Sequence, residues 1–146
     1  MKFTVHKRVR FQHCDPAGIV FYPQFYVLLH EVQEDFLAHI GFPEHDLITR
    51  GRGLPIVDMK TEFLGMCRHG DALSLTLELT RLGGASLGMH YEIHALAQTP
   101  GGPPALKLRA QGVVVHSTVP QGRPVRIPDD FRLALRPYLQ TLSETP

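Results

Sequence analysis

Chemistry in this chain concentrates in one short stretch, His13-Cys14-Asp15-Pro16-Ala17-Gly18, followed within a few residues by Tyr22 and Pro23. Asp15 precedes a proline, which biases its own backbone toward an extended conformation. Gly18 permits a left-handed turn or the close approach of a ligand. A helical pattern opens just downstream. The backbone N–H groups of its start, around Val20 to Tyr22, are donors without a partner inside a helix. They also stand at the positive end of the helix dipole. A carboxylate beside such donors suits acyl transfer. The donors polarise a carbonyl, and the carboxylate attacks it or activates a water; one such donor is worth about 2.7–4 kcal/mol in the transition state. Aspartate is ionised at pH 7, so it fits the nucleophile or base role. The same residue also fits a plain turn or helix cap. On residue types alone both readings stand.

Other groupings carry less. His90, Glu92 and His94 fall two residues apart on one face of a strand pattern. Such a row can chelate a metal or form the polar outer face of a sheet, and the outer face is the expectation. His13 lies two residues before Asp15, where it can orient the carboxylate or point away. Cys14 has no assignable His-Asn or His-Asp partners for a thiol nucleophile. A G-x-S-x-G elbow is absent, as are the phosphate-cradling G-x-G-x-x-G and P-loop patterns.

The elements that must hold Asp15 in place are legible from periodicity. Phe3 to Phe11 alternates, with Phe3, Val5, Val9 and Phe11 on one face, and predicts a half-buried strand. From Pro23 to Ile40, the residues Phe25, Leu28, Leu29, Val32, Phe36 and Ile40 share one helical face. Gln33, Glu34 and Asp35 mark its wetter side. Pro23 suits the first turn, and Gly41 followed by Pro43 is a stop. A Gly-rich turn at Arg50 to Gly53 leads into a strand from Leu54 to Leu64. Ala72 to Leu82 alternates most cleanly, with Leu73, Leu75, Leu77 and Leu79 inward. Gly83-Gly84 makes a hairpin into Ser86 to Ala97, and a strand from Leu106 to Ser117 follows a Pro/Gly-rich turn. Pro128-Asp129-Asp130 opens a short helix to about Leu139. One strand, one long helix and four strands in succession predict an α+β fold with the helix on one face of an antiparallel sheet.

The run from His13 to Pro23, with its D-P-A-G-I-V-F-x-P core, resembles the active-site segment of the 4-hydroxybenzoyl-CoA thioesterase family. The likeness extends over nearly the whole chain, through the Gly70-Asp71 turn and the segment from Arg123 to Pro128. It implies the hotdog fold, a long central helix wrapped by a five-stranded antiparallel sheet, as one domain over residues 1–146. It implies acyl-CoA thioester hydrolysis of an aromatic, hydroxybenzoyl-type substrate, with no metal or organic cofactor. Asp15 matches the catalytic carboxylate, as nucleophile or general base, and the Tyr22 backbone N–H matches the donor to the thioester carbonyl. Gly18 and Pro23 join the substrate-contacting set. His30 stands where hydroxybenzoyl-specific relatives have an acid. Arg123, with Arg126 second, matches a basic position for CoA phosphate, for which an arginine fork is suited. The hairpin from Leu82 to Ser86, flanked only by Arg81, lacks the relatives' other basic residues. The resemblance further implies a homodimer or homotetramer with sites at the subunit boundary. The rival readings are a short-chain aliphatic thioesterase, a hotdog dehydratase using His30 and Glu31, and a non-catalytic acyl-CoA-binding module.

Composition bounds the rest. The 146 residues carry 15 basic and 14 acidic side chains, a formal charge of +1. That balance argues against a general nucleic-acid binder. Two cysteines are too few for a disulfide framework. The longest apolar run, Gly18 to Leu29, is shorter than the ~20 residues a bilayer requires. Nor does the N-terminus read as a secretion signal. The expectation is a cytoplasmic protein without membrane or nucleic-acid partners.

Overall fold

The structure, a computed structural model, describes residues 1–140. Seven strands and three α-helices follow in chain order. They are β1 (Phe3–Arg8), α1 (Tyr22–His39), α2 (Glu44–Thr49), β2 (Arg52–Gly53), β3 (Ile56–Phe63), β4 (Ala72–Leu82), β5 (Ser86–Ala95), β6 (Ala105–Val115), β7 (Ser117–Thr118) and α3 (Asp129–Leu135). Five strands form one sheet in the order β1-β4-β5-β6-β3, antiparallel throughout. The long helix α1 lies across its inner face, which is the α+β hotdog arrangement expected above.

Period-two alternation sets that inner face. Leu73, Leu75, Leu77 and Leu79 of β4 are fully buried, beside Leu87, Met89, Tyr91 and Ile93 of β5. Helix α1 answers with Phe25, Leu28, Leu29, Val32, Phe36 and Leu37. Its 18 residues make a rod of about 27 Å. Lys7 of β1 clamps the helix from the side, with Nζ 3.2 Å from both Glu31 and Asp35. The two carboxylates hold its ammonium more firmly protonated, against the opposing effect of burial.

Several boundaries differ from expectation. β1 ends at Arg8, and Phe11–His13 is a 3-10 turn that leaves Phe11 82% exposed. The amide of Val9 already bonds out of the ladder to Asp71, so alternation stops with the pairing. Ser117 does not extend β6 but pairs with Gly53 in a separate two-stranded sheet, β2–β7. The last helix turns 3-10 at Arg136–Tyr138, where Pro137 has no amide to continue an α-helix. The short α2 was not expected at all. Gln33, expected on the wet side of α1, is only 5% exposed. It continues the Leu29 stripe one turn on, and its amide finds partners inside.

Candidate active site

The loop before α1 is closed by its own backbone. Cys14 and Val20 form an antiparallel bridge. The Asp15 amide donates to Ile19 O at 3.0 Å, and the Gly18 amide to Asp15 O at 2.9 Å. Reversing the chain in so few residues requires φ +80° at Gly18, a left-handed conformation costly to any side chain. A second loop braces the first. Val20 N–H donates to Cys67 O at 2.9 Å, and Ile19 bridges Arg68. Cys67 is fully buried there, and burial pushes its thiol up to about 11.

Asp15 is half-buried. Its Oδ1 accepts the Ala17 amide at 2.8 Å, and no described partner takes Oδ2. At the same end of the molecule α1 begins after Phe21. The Gln24 amide turns back to Phe21 O, and Pro23, the second helical residue, has no N–H. The Tyr22 amide, first in the helix, makes no hydrogen bond among the described residues. Sequence and geometry thus leave one unfilled donor at the positive end of a five-turn helix, and a carboxylate with one open oxygen on the loop that leads into it.

His13 is not aimed at Asp15. It is buried, and its Nδ1 accepts the Arg10 amide at 2.9 Å. The Cys14 thiol faces the Arg10 carbonyl at 3.6 Å. His30 lies further along α1, exposed, with Nε2 3.6 Å from Glu44 Oε2 on α2. Ligand atoms of His30, Glu34 and Glu44 lie within 4.8 Å of one another, a spacing that a cation could bridge.

A cavity of about 520 Å³ opens between α1 and the β3 edge, lined by Tyr26, Leu29, His30, Gln33, Leu54, Pro55, Ile56, Met59 and Tyr91. Tyr22, Tyr26, Leu29 and Gln33 follow one another at four-three-four spacing, so their side chains share one stripe of the helix, of which Tyr26, Leu29 and Gln33 line the cavity. The Phe63 ring lies 5.9–6.5 Å from those of Tyr22, Phe25 and Tyr26. Tyr26 also donates from its hydroxyl to Thr61 on β3 at 3.0 Å. Gln33, Glu44, Met59 and Tyr91 escaped the sequence reading as site residues.

Arg123 and Arg126 are brought together with neither Asp15 nor the cavity. Both are exposed. The Arg123 backbone pairs with Thr118, and the Arg126 guanidinium is 3.9 Å from Asp129. The following Ile127 bonds to Gly84, at the far end of β4 from the Asp15 loop. That strand of 11 residues separates the two regions by about 33 Å. The row His90, Glu92, His94 lies on the outer sheet face. Glu92 Oε2 is 2.8 Å from His90 Nε2, and Oε1 is 3.8 Å from His94 Nε2. Burial would raise the Glu92 carboxyl, but the His90 hydrogen bond and the neighbouring positive charges hold it below the usual range.

This five-stranded antiparallel sheet with a long helix across its inner face is the hotdog fold. A family model of the thioesterase-like superfamily matches residues 9–135, and the chain belongs to that superfamily. Its enzymatic class is acyl-CoA thioesterase. It is 27% identical over 134 residues to a 4-hydroxybenzoyl-CoA thioesterase of a Pseudomonas strain, covering 88% of this chain and 93% of the relative. It is 26% identical over 134 residues to a 1,4-dihydroxy-2-naphthoyl-CoA hydrolase of Synechocystis, covering 91% and 94%. The crystal structure of a 1,4-dihydroxy-2-naphthoyl-CoA thioesterase from Synechocystis superposes with a TM-score of 0.82 at 26% identity, over 93% of this chain and 96% of that one. No described helix is long and apolar enough to cross a membrane.

Proposed function

We propose that this chain hydrolyses an aromatic, hydroxybenzoyl-type acyl-CoA, with Asp15 as nucleophile or general base and the Tyr22 amide as oxyanion donor. One observation carries the reading. The open Oδ2 of Asp15 and the unfilled Tyr22 N–H stand at the same end of α1, on the helix whose face lines an apolar cavity. The thioester carbonyl would accept from Tyr22 N–H, and charge building on its oxygen would be met by that donor and the helix dipole. Asp15 would either take a proton from the water that attacks the carbonyl carbon, the thiolate of CoA leaving with the acid formed directly, or attack that carbon itself, the thiolate leaving and water then cleaving the resulting anhydride to release the acid and restore the carboxylate. The aryl relatives support an aromatic acyl group, as do the cavity's aromatic walls.

The site as we read it is completed by a second copy. β3 is an open sheet edge, and Ile56, Val57, Phe63, Leu64 and Met66 are exposed on it or just beyond. Such an edge invites strand pairing. Antiparallel pairing of two β3 edges would bring the Arg123 and Arg126 end of one copy toward the Asp15 end of the other, where both could meet CoA phosphates. Gly18 and Pro23 would line the thioester and His30 the acyl group.

The test is a free-thiol assay over aryl, short-chain and long-chain acyl-CoAs, with Asp15→Asn beside the wild type. Aryl-CoA hydrolysis that Asp15→Asn loses supports the reading. Preference for short aliphatic thioesters would replace the substrate assignment, and an active Asp15→Asn would remove Asp15 from it.

A further inference from the structure

The cavity is not uniformly apolar. Two of its lining residues are a carboxamide and a phenol on facing elements, Gln33 of α1 and Tyr91 of β5, with Tyr91 1% exposed. The Tyr91 hydroxyl lies 3.2 Å from Gln33 Oε1 and 3.1 Å from Met89 Sδ. Gln33 Nε2 donates to Glu44 Oε1 at 3.5 Å. An ionised carboxylate only accepts, so Glu44 fixes the amide with its NH2 outward and its carbonyl toward Tyr91. The Tyr91 proton is therefore committed inside the protein, and its oxygen keeps a lone pair. Gln33 keeps its second N–H. Burial, with the nearby Glu44 charge, pushes Tyr91 ionisation well above its ordinary value, so the hydroxyl stays neutral.

This pair presents one donor and one acceptor. A bare hydrocarbon would bury both without partners, which is unfavourable. An anionic substituent would face the Tyr91 lone pairs and the Glu44 carboxylate. A neutral hydroxyl fits both, donating to Tyr91 Oη and accepting from Gln33 Nε2. We propose that Gln33 and Tyr91 are the specificity pair of this cavity, selecting an acyl group with a neutral hydroxyl remote from its thioester. Glu44 is the positioning residue that holds the amide. The inference rests on the aryl-CoA reading above. Gln33 follows Tyr22 by eleven residues, about 16 Å of helix rise. A single ring does not span that, and would reach the pair only from the helix start of a second copy paired through β3. A longer acyl group reaches it within one chain.

The experiment compares kcat/KM for two matched pairs, benzoyl- with 4-hydroxybenzoyl-CoA and 2-naphthoyl- with a dihydroxylated 2-naphthoyl-CoA. The enzymes are wild type, Tyr91→Phe, Gln33→Met and Glu44→Gln. The wild type is expected to prefer the hydroxylated member of at least one pair by about tenfold or more. Tyr91→Phe and Gln33→Met should cut that preference by about tenfold, and Glu44→Gln by less, because it loosens the amide without removing it. A loss of fold would lower both members of a pair alike and leave the ratio intact. Should Gln33→Met not fold, Tyr91→Phe alone decides. The proposal is overturned by a wild type indifferent to the hydroxyl in both pairs, or by a preference that survives in Tyr91→Phe. A wild type that cleaves only aliphatic thioesters overturns the aryl reading and this inference together, a result distinct from either of the others.

Discussion

The amide of Ala17 donates to Oδ1 of Asp15 at 2.8 Å, two residues along the same loop. One carboxylate oxygen is thereby fixed in direction, and the other has no partner among the described residues. Asp15→Asn keeps an oxygen for the Ala17 bond but removes the charge. Hydrolysis is expected to fall by roughly 10²–10⁴-fold while the thermal midpoint stays near wild type, read by thiol release and calorimetry.

Gly18 shows how the loop depends on backbone conformation. A Cβ added there meets nothing within 4 Å, yet φ is +80°. Gly18→Ala should therefore cost about 1–2 kcal/mol of stability through strain alone, and kcat/KM should drop as the Asp15 loop relaxes. Gly84→Ala, equally uncrowded and without positive φ, should leave the thermal midpoint near wild type.

Leu77 is buried at the centre of β4. Leu77→Ala is expected to destabilise by about 2.7–5.0 kcal/mol, measured by chemical denaturation at fixed protein concentration.

Acid should expose the Glu92 pairing. Its folded carboxyl titrates below the unfolded value. The stability it contributes is complete above the ordinary glutamate range, near pH 4.5, and is lost as pH falls through the lower folded value. Glu92→Gln should flatten that limb of the stability–pH curve and lower the plateau above it. An identical limb in the variant would assign acid sensitivity elsewhere.

Val57, 60% exposed on the open edge strand, tests self-association. Val57→Glu should shift light scattering from dimer to monomer and lower hydrolysis in step. A fully active monomer would show that one chain holds a complete site.

The sequence reveals some of this architecture readily. Leu73 to Leu79 alternate without a break, and their strand is found with the expected bounds. The Phe25-to-Phe36 stripe likewise defines α1. Asp15 and Tyr22 could be paired because a proline, a glycine and a helix start fall close together in one dimension. Glu44 could not. It opens a six-residue helix that follows Pro43 without a side-chain cap, and only folding carries it to Gln33. Gln33 itself was misplaced because a hydrophobic pattern counts a carboxamide as solvent-facing, whereas here the Tyr91 hydroxyl satisfies it. Arg123, by its spacing before Pro128, matches a basic position of the family, with Arg126 second; spacing does not show that a full strand length of the same chain lies between them and Asp15.

Pro23 has a consequence for how tightly an acyl group can be enclosed. A peptide N–H shut into an apolar site without a partner costs about 1–3 kcal/mol. With an ordinary residue at that position, closing the pocket would strip water from two amides, and one carbonyl oxygen would have to serve both. The ring removes the second amide beforehand. Dehydration on binding then falls on the Tyr22 N–H alone, the donor on which, in the proposed reaction, the thioester oxygen would replace water.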